Sequence, residues 1–176
     1  MTEEINGQYS GLDMWPTIDV VKAMFDGQLA AIHAISPSLP VIAKAADEAA
    51  KRLGADGRLI YIGAGTSGRL AVQDGSELGP TFSWPQSRII YGMAGGMEAL
   101  VESQEGAEDN AGDGHDFIDT IKTSPSDIVF CVAASGRTPY TLGALRQAKS
   151  RGAMTADRRN GFQQGARIGV LRVCKQ

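Results

Sequence analysis

One layout constrains this chain more than any other feature: a short apolar strand, a turn of Gly, Ser and Thr, then a helix, occurring twice. Arg58-Leu-Ile-Tyr-Ile-Gly63 is an apolar run bounded by glycines, the pattern of a strand buried on both faces. A polar turn over 65–68 follows it, and Arg69 to Gln73 starts a helix. Asp127-Ile-Val-Phe-Cys-Val-Ala-Ala134 is a second such strand, Ser135 to Thr138 its turn, and Pro139 to Ser150 a helix with proline in its first turn. Between them, Arg88-Ile-Ile-Tyr-Gly-Met93 reads as a further strand closed by Ala94-Gly95-Gly96, and Met97 to Gln104 as helical. Strands alternating with helices predict an α/β fold with a mostly parallel sheet and helices on its faces. In such sheets ligands bind beyond the C-terminal strand ends, where both polar turns fall.

Ahead of this unit, residues 1–12 form a polar arm. Ile18, Val21, Phe25, Leu29, Ile32 and Ile35 recur in steps of three and four, predicting an amphipathic helix ended by Pro37 and Pro40. Val41, Ile42, Ala45, Ala46, Ala49 and Leu53 predict a second helix closed by Gly54. His33 falls on or beside the first apolar stripe and is expected to pack rather than react.

A composition of 43% hydrophobic and 21% charged residues excludes a disordered chain, and a net charge of −3 leaves no electrostatic footprint for nucleic acid. No unbroken apolar run approaches the roughly 20 residues of a membrane span, and no signal peptide is visible, so a cytoplasmic protein is expected. Cys131 and Cys174 form no CxxC pair, which leaves no zinc or redox motif.

The first turn, Gly63-Ala-Gly65-Thr66-Ser67-Gly68-Arg69, suits a phosphate. Glycines admit a ligand close to the backbone, and the following helix offers unpaired N–H groups at a positive dipole end. The turn is not a P-loop, since no Lys follows its last glycine. It has the glycine spacing of a dinucleotide site, but Ala94-Gly95-Gly96 stands where the second strand should end in an acidic residue. The same glycines also suit a strand-to-helix turn with no ligand. The second turn adds Ser135, Gly136, Arg137 and Thr138, and two such turns on neighbouring parallel strands point to one crevice for a sugar phosphate. Arg137 is equally compatible with a plain surface role.

Between Arg88 and Lys122 there are eight carboxylates and no Lys or Arg: Glu98, Glu102, Glu105, Glu108, Asp109, Asp113, Asp116 and Asp119. Most such runs are solvated faces, and the spacing is not that of an EF-hand. His115 lies in this acidic loop. Glu77 stands apart, in Asp74-Gly-Ser-Glu-Leu-Gly-Pro80 before a loop over 80–85, where it is expected near a ligand bound at the strand ends. With no Ser/His/Asp or Cys/His set, carboxylate acid–base chemistry is the natural candidate.

Five ordered blocks resemble the N-acetylmuramic acid 6-phosphate etherases, bacterial enzymes built on a sugar isomerase (SIS) domain. They are 58–70, Asp74-Gly-Ser-Glu77 with Pro80-Thr81, Ala94-Gly-Gly96, Glu105-Gly-Ala-Glu-Asp109 and Ala133-Ala-Ser-Gly-Arg-Thr-Pro-Tyr140, within a similarity running from about residue 12 to about 154. The resemblance implies a SIS-type three-layer fold and cleavage of the D-lactyl ether to give N-acetylglucosamine 6-phosphate, by elimination and water addition. It implies Glu77 as proton donor and Glu108 as base, with Gly65, Thr66, Ser67, Ser135, Gly136, Arg137 and Thr138 around the phosphate. Glu105 is a helper or a surface charge. No metal or organic cofactor is implied, and no nucleic-acid or membrane partner; a homodimer is. Other SIS proteins isomerise sugars or sense sugar phosphates without turnover. Retention of Glu77 and Glu108 favours the enzyme over the sensor.

The chain departs from the family in reading Asp-Gly-Ser-Glu-Leu-Gly-Pro-Thr where Asp-Ala-Ser-Glu-Cys-Pro-Pro-Thr is usual, and again after Met154. From Asp157 onward five basic residues meet one acidic, and Arg167 to Val173 is compatible with one short strand. The expected organisation is therefore an arm with helices over 1–54, the front part of a SIS domain over 55–154, incomplete on its C-terminal side, and a divergent tail over 155–176. The expected origin of such a tail is a shifted reading frame or another truncation artefact of a longer gene, and a truncation of this kind is expected to impair activity.

Overall fold

The computed structural model describes residues 7–157 and the pair 172–173. Two 3₁₀ turns, Gly7–Tyr9 and Leu12–Met14, lead into α1 (Thr17–Ile35) and α2 (Leu39–Leu53). Then come β1 (Leu59–Gly63), α3 (Gly65–Ser76), α4 (Leu78–Phe82), β2 (Ile89–Met93), α5 (Ala111–Thr120), β3 (Ile128–Val132), α6 (Pro139–Ser150), β4 (Met154–Asp157) and β5 (Arg172–Val173). The sheet order is β2-β1-β3-β4-β5. The first four strands are mutually parallel, and β5 pairs antiparallel with β4.

Alternation along each strand makes the three layers. Ile60 and Ile62 of β1 and Val129 of β3 face one side, where Ile118 of α5 and Tyr140, Ala144 and Ala148 of α6 cover them. Leu59, Tyr61, Ile128 and Phe130 face the other, against Ala45, Ala49 and Leu53 of α2 and Ala71 of α3. Register places Tyr61 beside both Tyr91 and Phe130, so three rings form a row with centroids 6.2 and 5.2 Å apart.

Two glycines let α5 and α6 touch through their backbones. A Cβ at Gly114 would strike the carbonyl of Tyr140, and one at Gly143 the carbonyl of Ala111. Gly143→Ala is therefore expected to destabilise the chain by about 1–3 kcal/mol, the usual cost of overpacking. Urea denaturation reads this, and an unchanged midpoint contradicts the close contact.

Several expectations are corrected. Gly65 to Ser67 is not a turn ahead of a helix but the first turn of α3 itself. The 80–85 loop is in part helical, as α4, and Met97 to Gln104 is helical only over a 3₁₀ turn, Met97–Leu100. His115 lies on α5 rather than in a loop. The parallel sheet gains β4 at the point where divergence begins: Thr155 pairs beside Val129 and is buried. Of the stretch 167–173, only Arg172–Val173 falls among the described residues.

Helix α1 forms where the periodicity places it, yet none of its residues is buried. Ile18, Val21, Phe25 and Ile32 are each more than half exposed, and His33 is exposed rather than packed. Unbroken apolar runs also understate this region: the helical stretch Thr17–Leu53 is long and apolar enough to cross a membrane by length and composition alone. Asp19, Lys22 and Asp26 within it fit an amphipathic helix whose stripe meets no cover among the described residues.

Candidate functional site

The C-terminal ends of three strands lie level. Gly63 of β1 pairs with Met93 of β2 on one side and Val132 of β3 on the other. The chain leaves β1 through Ala64, the residue ahead of α3, whose carbonyl accepts the Gly68 N–H at 3.0 Å. Gly65 has φ +52°, a conformation that favours glycine. Gly63 and Gly68 serve packing: a Cβ on Gly63 would lie 2.7 Å from the Gly68 Cα, and one on Gly68 would strike the Met93 sulfur. Two of the three spaced glycines thus bring helix and strand together whatever the turn binds. Thr66 and Ser67 fall in the first turn of α3, beside backbone N–H groups that have no intrahelical partner.

Beyond β2, the segment from Gly96 to Asn110 folds back over this helix start. Gly95 admits it, since a Cβ there would lie 2.8 Å from the Gln104 Cβ and 3.3 Å from that of Ala107. Asn110 then caps α5, its side-chain oxygen accepting the Gly112 N–H at 2.9 Å. Between the segment and the end of β1 lies a cleft of about 280 Å³, lined by Ala64, Gly65, Arg69, Met93, Ala94 and the stretch from Ser103 to Glu108.

This cleft sorts the acidic run. Glu105 and Glu108 line it, while Asp119, near the C-terminal end of α5, is paired with Arg151 at 2.6 Å. Hydrogen bonds from Gln147 and then Arg151 hold the Asp119 carboxyl below its ordinary range. His115 contacts Asp116 through Nδ1 at 3.0 Å, outside the cleft lining.

The second polar turn lies across β1 from the cleft, because β3 and β2 flank that strand on opposite sides. Ser135 Oγ accepts the Arg137 N–H at 3.1 Å, Gly136 has φ +64°, and Thr138 precedes α6. Tyr140, in the first turn of that helix, has its hydroxyl pushed up to about 12, chiefly by burial. Gly65 and Glu108 thus share one cleft, Thr66 and Ser67 follow Gly65 in the chain but are not among its lining residues, and Ser135, Gly136, Arg137 and Thr138 stand at the neighbouring strand end.

Glu77 is elsewhere. It follows the last residue of α3, exposed, its carbonyl accepting the Thr81 N–H at 3.0 Å. The 12 residues of α3 span about 18 Å at about 1.5 Å per residue. Glu77 is not among the residues that line the cleft of its own chain. Sequence reasoning gives Arg69 no role, although it borders the cleft and carries four hydrogen bonds to the acidic segment.

Comparison with known proteins agrees with this architecture. The profile of the glucokinase regulatory protein N-terminal SIS domain family matches residues 41–149. The chain belongs to this SIS-domain family. Among curated proteins, an N-acetylmuramic acid 6-phosphate etherase of Erwinia tasmaniensis is 47% identical over 156 residues, covering 89% of this chain and 51% of the relative. Those of Cutibacterium acnes and Deinococcus radiodurans are 45% and 42% identical over 155 and 154 residues, each covering 88% of this chain and 51% and 50% of the relative. The chain spans about half the length of the curated relatives it matches.

Proposed function

We propose that this SIS-domain chain belongs to a lyase that removes D-lactate from N-acetylmuramic acid 6-phosphate, leaving N-acetylglucosamine 6-phosphate. The observation that carries the proposal is Glu108 on the same cleft as the start of α3. An anion held by the N–H groups of that helix start, with Thr66 and Ser67 beside it, anchors the sugar at one end. Ser135, Gly136, Arg137 and Thr138 approach from the adjacent strand end to complete the phosphate site. Residues 55–154 act as the front part of the domain, preceded by an arm and helices over 1–54.

In the open-chain sugar, the aldehyde at C1 acidifies the proton at C2. Glu108 takes that proton, the bond from C3 to the lactyl oxygen breaks, and a carboxylic acid delivers a proton to the departing oxygen. Water then adds to C3 and a proton returns to C2. Base and acid are two carboxyl groups of different environment, and Glu77 is the donor in this scheme. Since it lies outside the lining of its own cleft, a second copy supplies it in this scheme. A homodimer, in the cytoplasm where a phosphorylated cell-wall sugar is recycled, is therefore part of the proposal.

Incubation of the purified chain with N-acetylmuramic acid 6-phosphate is expected to release D-lactate. In ¹⁸O-labelled water the label is expected in the sugar and not in the lactate, because the C3–oxygen bond is the one that breaks. No release beside an active full-length relative counts against the activity of this chain. Label in the lactate counts against the elimination route.

A further inference from the structure

We infer that Arg69 is the positioning residue of this site, holding the acidic segment over the start of α3 so that Glu108 faces the cleft. The inference rests on the lyase proposal for the meaning of Glu108, but its geometry is independent of it. The Arg69 guanidinium donates from Nε to the carbonyls of Ala99 at 3.2 Å and Leu100 at 3.0 Å. Nη2 donates to the Ala99 carbonyl at 3.0 Å and to Ser103 Oγ at 3.3 Å. All three acceptors lie at or just after the 3₁₀ turn Met97–Leu100, whose last carbonyls lack partners within the turn.

The segment so held is short and otherwise supported at its two ends. Met97–Leu100 follows β2, and Asn110 fixes the far end by capping α5. Between them, the stretch from Ser103 to Glu108 forms one wall of the cleft, with Gly106 in a left-handed conformation at φ +73° just before the second 3₁₀ turn, Ala107–Asp109. Glu102, Ser103, Gln104 and Glu105 are all exposed. Arg69 is the side chain of α3 that crosses to this wall, and it borders the cleft itself. It therefore ties the two halves of the site, the helix start and the carboxylate segment, at one separation.

A planar fork suits this task. Two carbonyls and a hydroxyl are engaged from two nitrogens of fixed geometry, which a single lysine ammonium on a flexible stem does not reproduce. Arg69→Lys keeps the charge and loses the fork, so it separates positioning from simple attraction of an anion. Misplacement of a reacting group by about 1 Å costs on the order of a hundredfold in rate.

The test compares the unsubstituted chain with Arg69→Lys and Arg69→Ala by two readouts. Hydrogen exchange is expected to rise across 97–109 in both variants while the β1 amides stay protected; unchanged exchange across 97–109 overturns the inference. In D-lactate release, kcat is expected to fall about tenfold to a hundredfold with KM for the sugar phosphate held within about twofold. A raised KM with kcat retained makes Arg69 a substrate contact, and faster exchange with unchanged kinetics makes it a purely structural tie; either result overturns the positioning role. If the unsubstituted chain releases no D-lactate, the lyase proposal fails for it, and the exchange measurement alone decides whether Arg69 holds the segment.

Discussion

Asp127→Ala is expected to cost about 3 kcal/mol of stability, the lower end of what losing one partner of a buried ion pair removes. The Asp127 side chain is only 2% exposed and meets the Arg58 guanidinium at 2.6 Å. Its two oxygens also accept the backbone N–H of Arg58 at 3.0 Å and that of Ser124 at 2.8 Å. Deleting the carboxylate leaves these donors without their acceptor in a protected place, where an unmet donor is costly. Arg58 is about a quarter exposed and can be rehydrated along one edge, which keeps the expected loss at the lower end. The same guanidinium donates to the carbonyls of Ile121 and Lys122, just past α5, so the loss spreads to that helix.

Protonation of Asp127 makes the same change reversibly. Burial alone pushes its carboxyl up, but the hydrogen bonds from Arg58 and from the Ser124 and Arg58 backbones, with the Arg58 charge, outweigh burial and hold it below the ordinary range. A carboxyl lowered by folding contributes stability that is fully present above its unfolded pKa of about 4 and is lost as pH falls through the folded value. Denaturation midpoints are therefore expected to hold between about pH 7 and pH 5 and to decline below about pH 4. Asp127→Ala should start lower and decline less. An equal acid decline in both chains places the acid sensitivity elsewhere. The pair sits at the N-terminal ends of β1 and β3, opposite the cleft, so this loss is of fold and not of site geometry.

The parts of this architecture legible in the sequence are those written in a local period. Strands β1, β2 and β3 announce themselves because short apolar runs between glycines or turn residues have few alternatives. Helix α5 is hidden by Gly112 and Gly114, poor helix formers that read as loop. Gly114 is there because the Tyr140 carbonyl of α6 occupies the space a side chain would need. Asn110 three residues before Asp113 is the available cue, since it caps the helix and also donates to that carboxylate at 2.7 Å. The start of α3 is obscured for a related reason: Ala64 precedes it where a capping Ser, Thr, Asp or Asn would mark the boundary. Arg69 is illegible because three of its four hydrogen bonds go to backbone carbonyls some 30 positions on, which carry no residue-type signal. The apolar stripe of α1 is plain in the sequence, but a stripe states only that a cover is required. Glu77 shows the same limit at the site: its motif is visible, whereas its distance depends on how far α3 continues.

That distance leads to the second large effect. Glu77→Gln and Glu108→Gln are each expected to lower D-lactate release by about 10²- to 10⁴-fold, the contribution of a general acid or base. If Glu77 serves its own cleft, a mixture of the two variants is as inactive as either. If it serves a partner's cleft, a dimer of one Glu77→Gln and one Glu108→Gln chain has one site with both carboxylates and one with neither. Random pairing in a two-fold dimer makes half the dimers mixed, each with one working site of two, so co-refolded variants should recover about a quarter of the unsubstituted rate. The 12-residue span of α3 makes the second outcome the expected one. Recovery absent from a mixture in which mixed dimers are demonstrated places the proton donor within the chain and points to Glu105, which shares the cleft with Glu108, as the carboxyl to replace next.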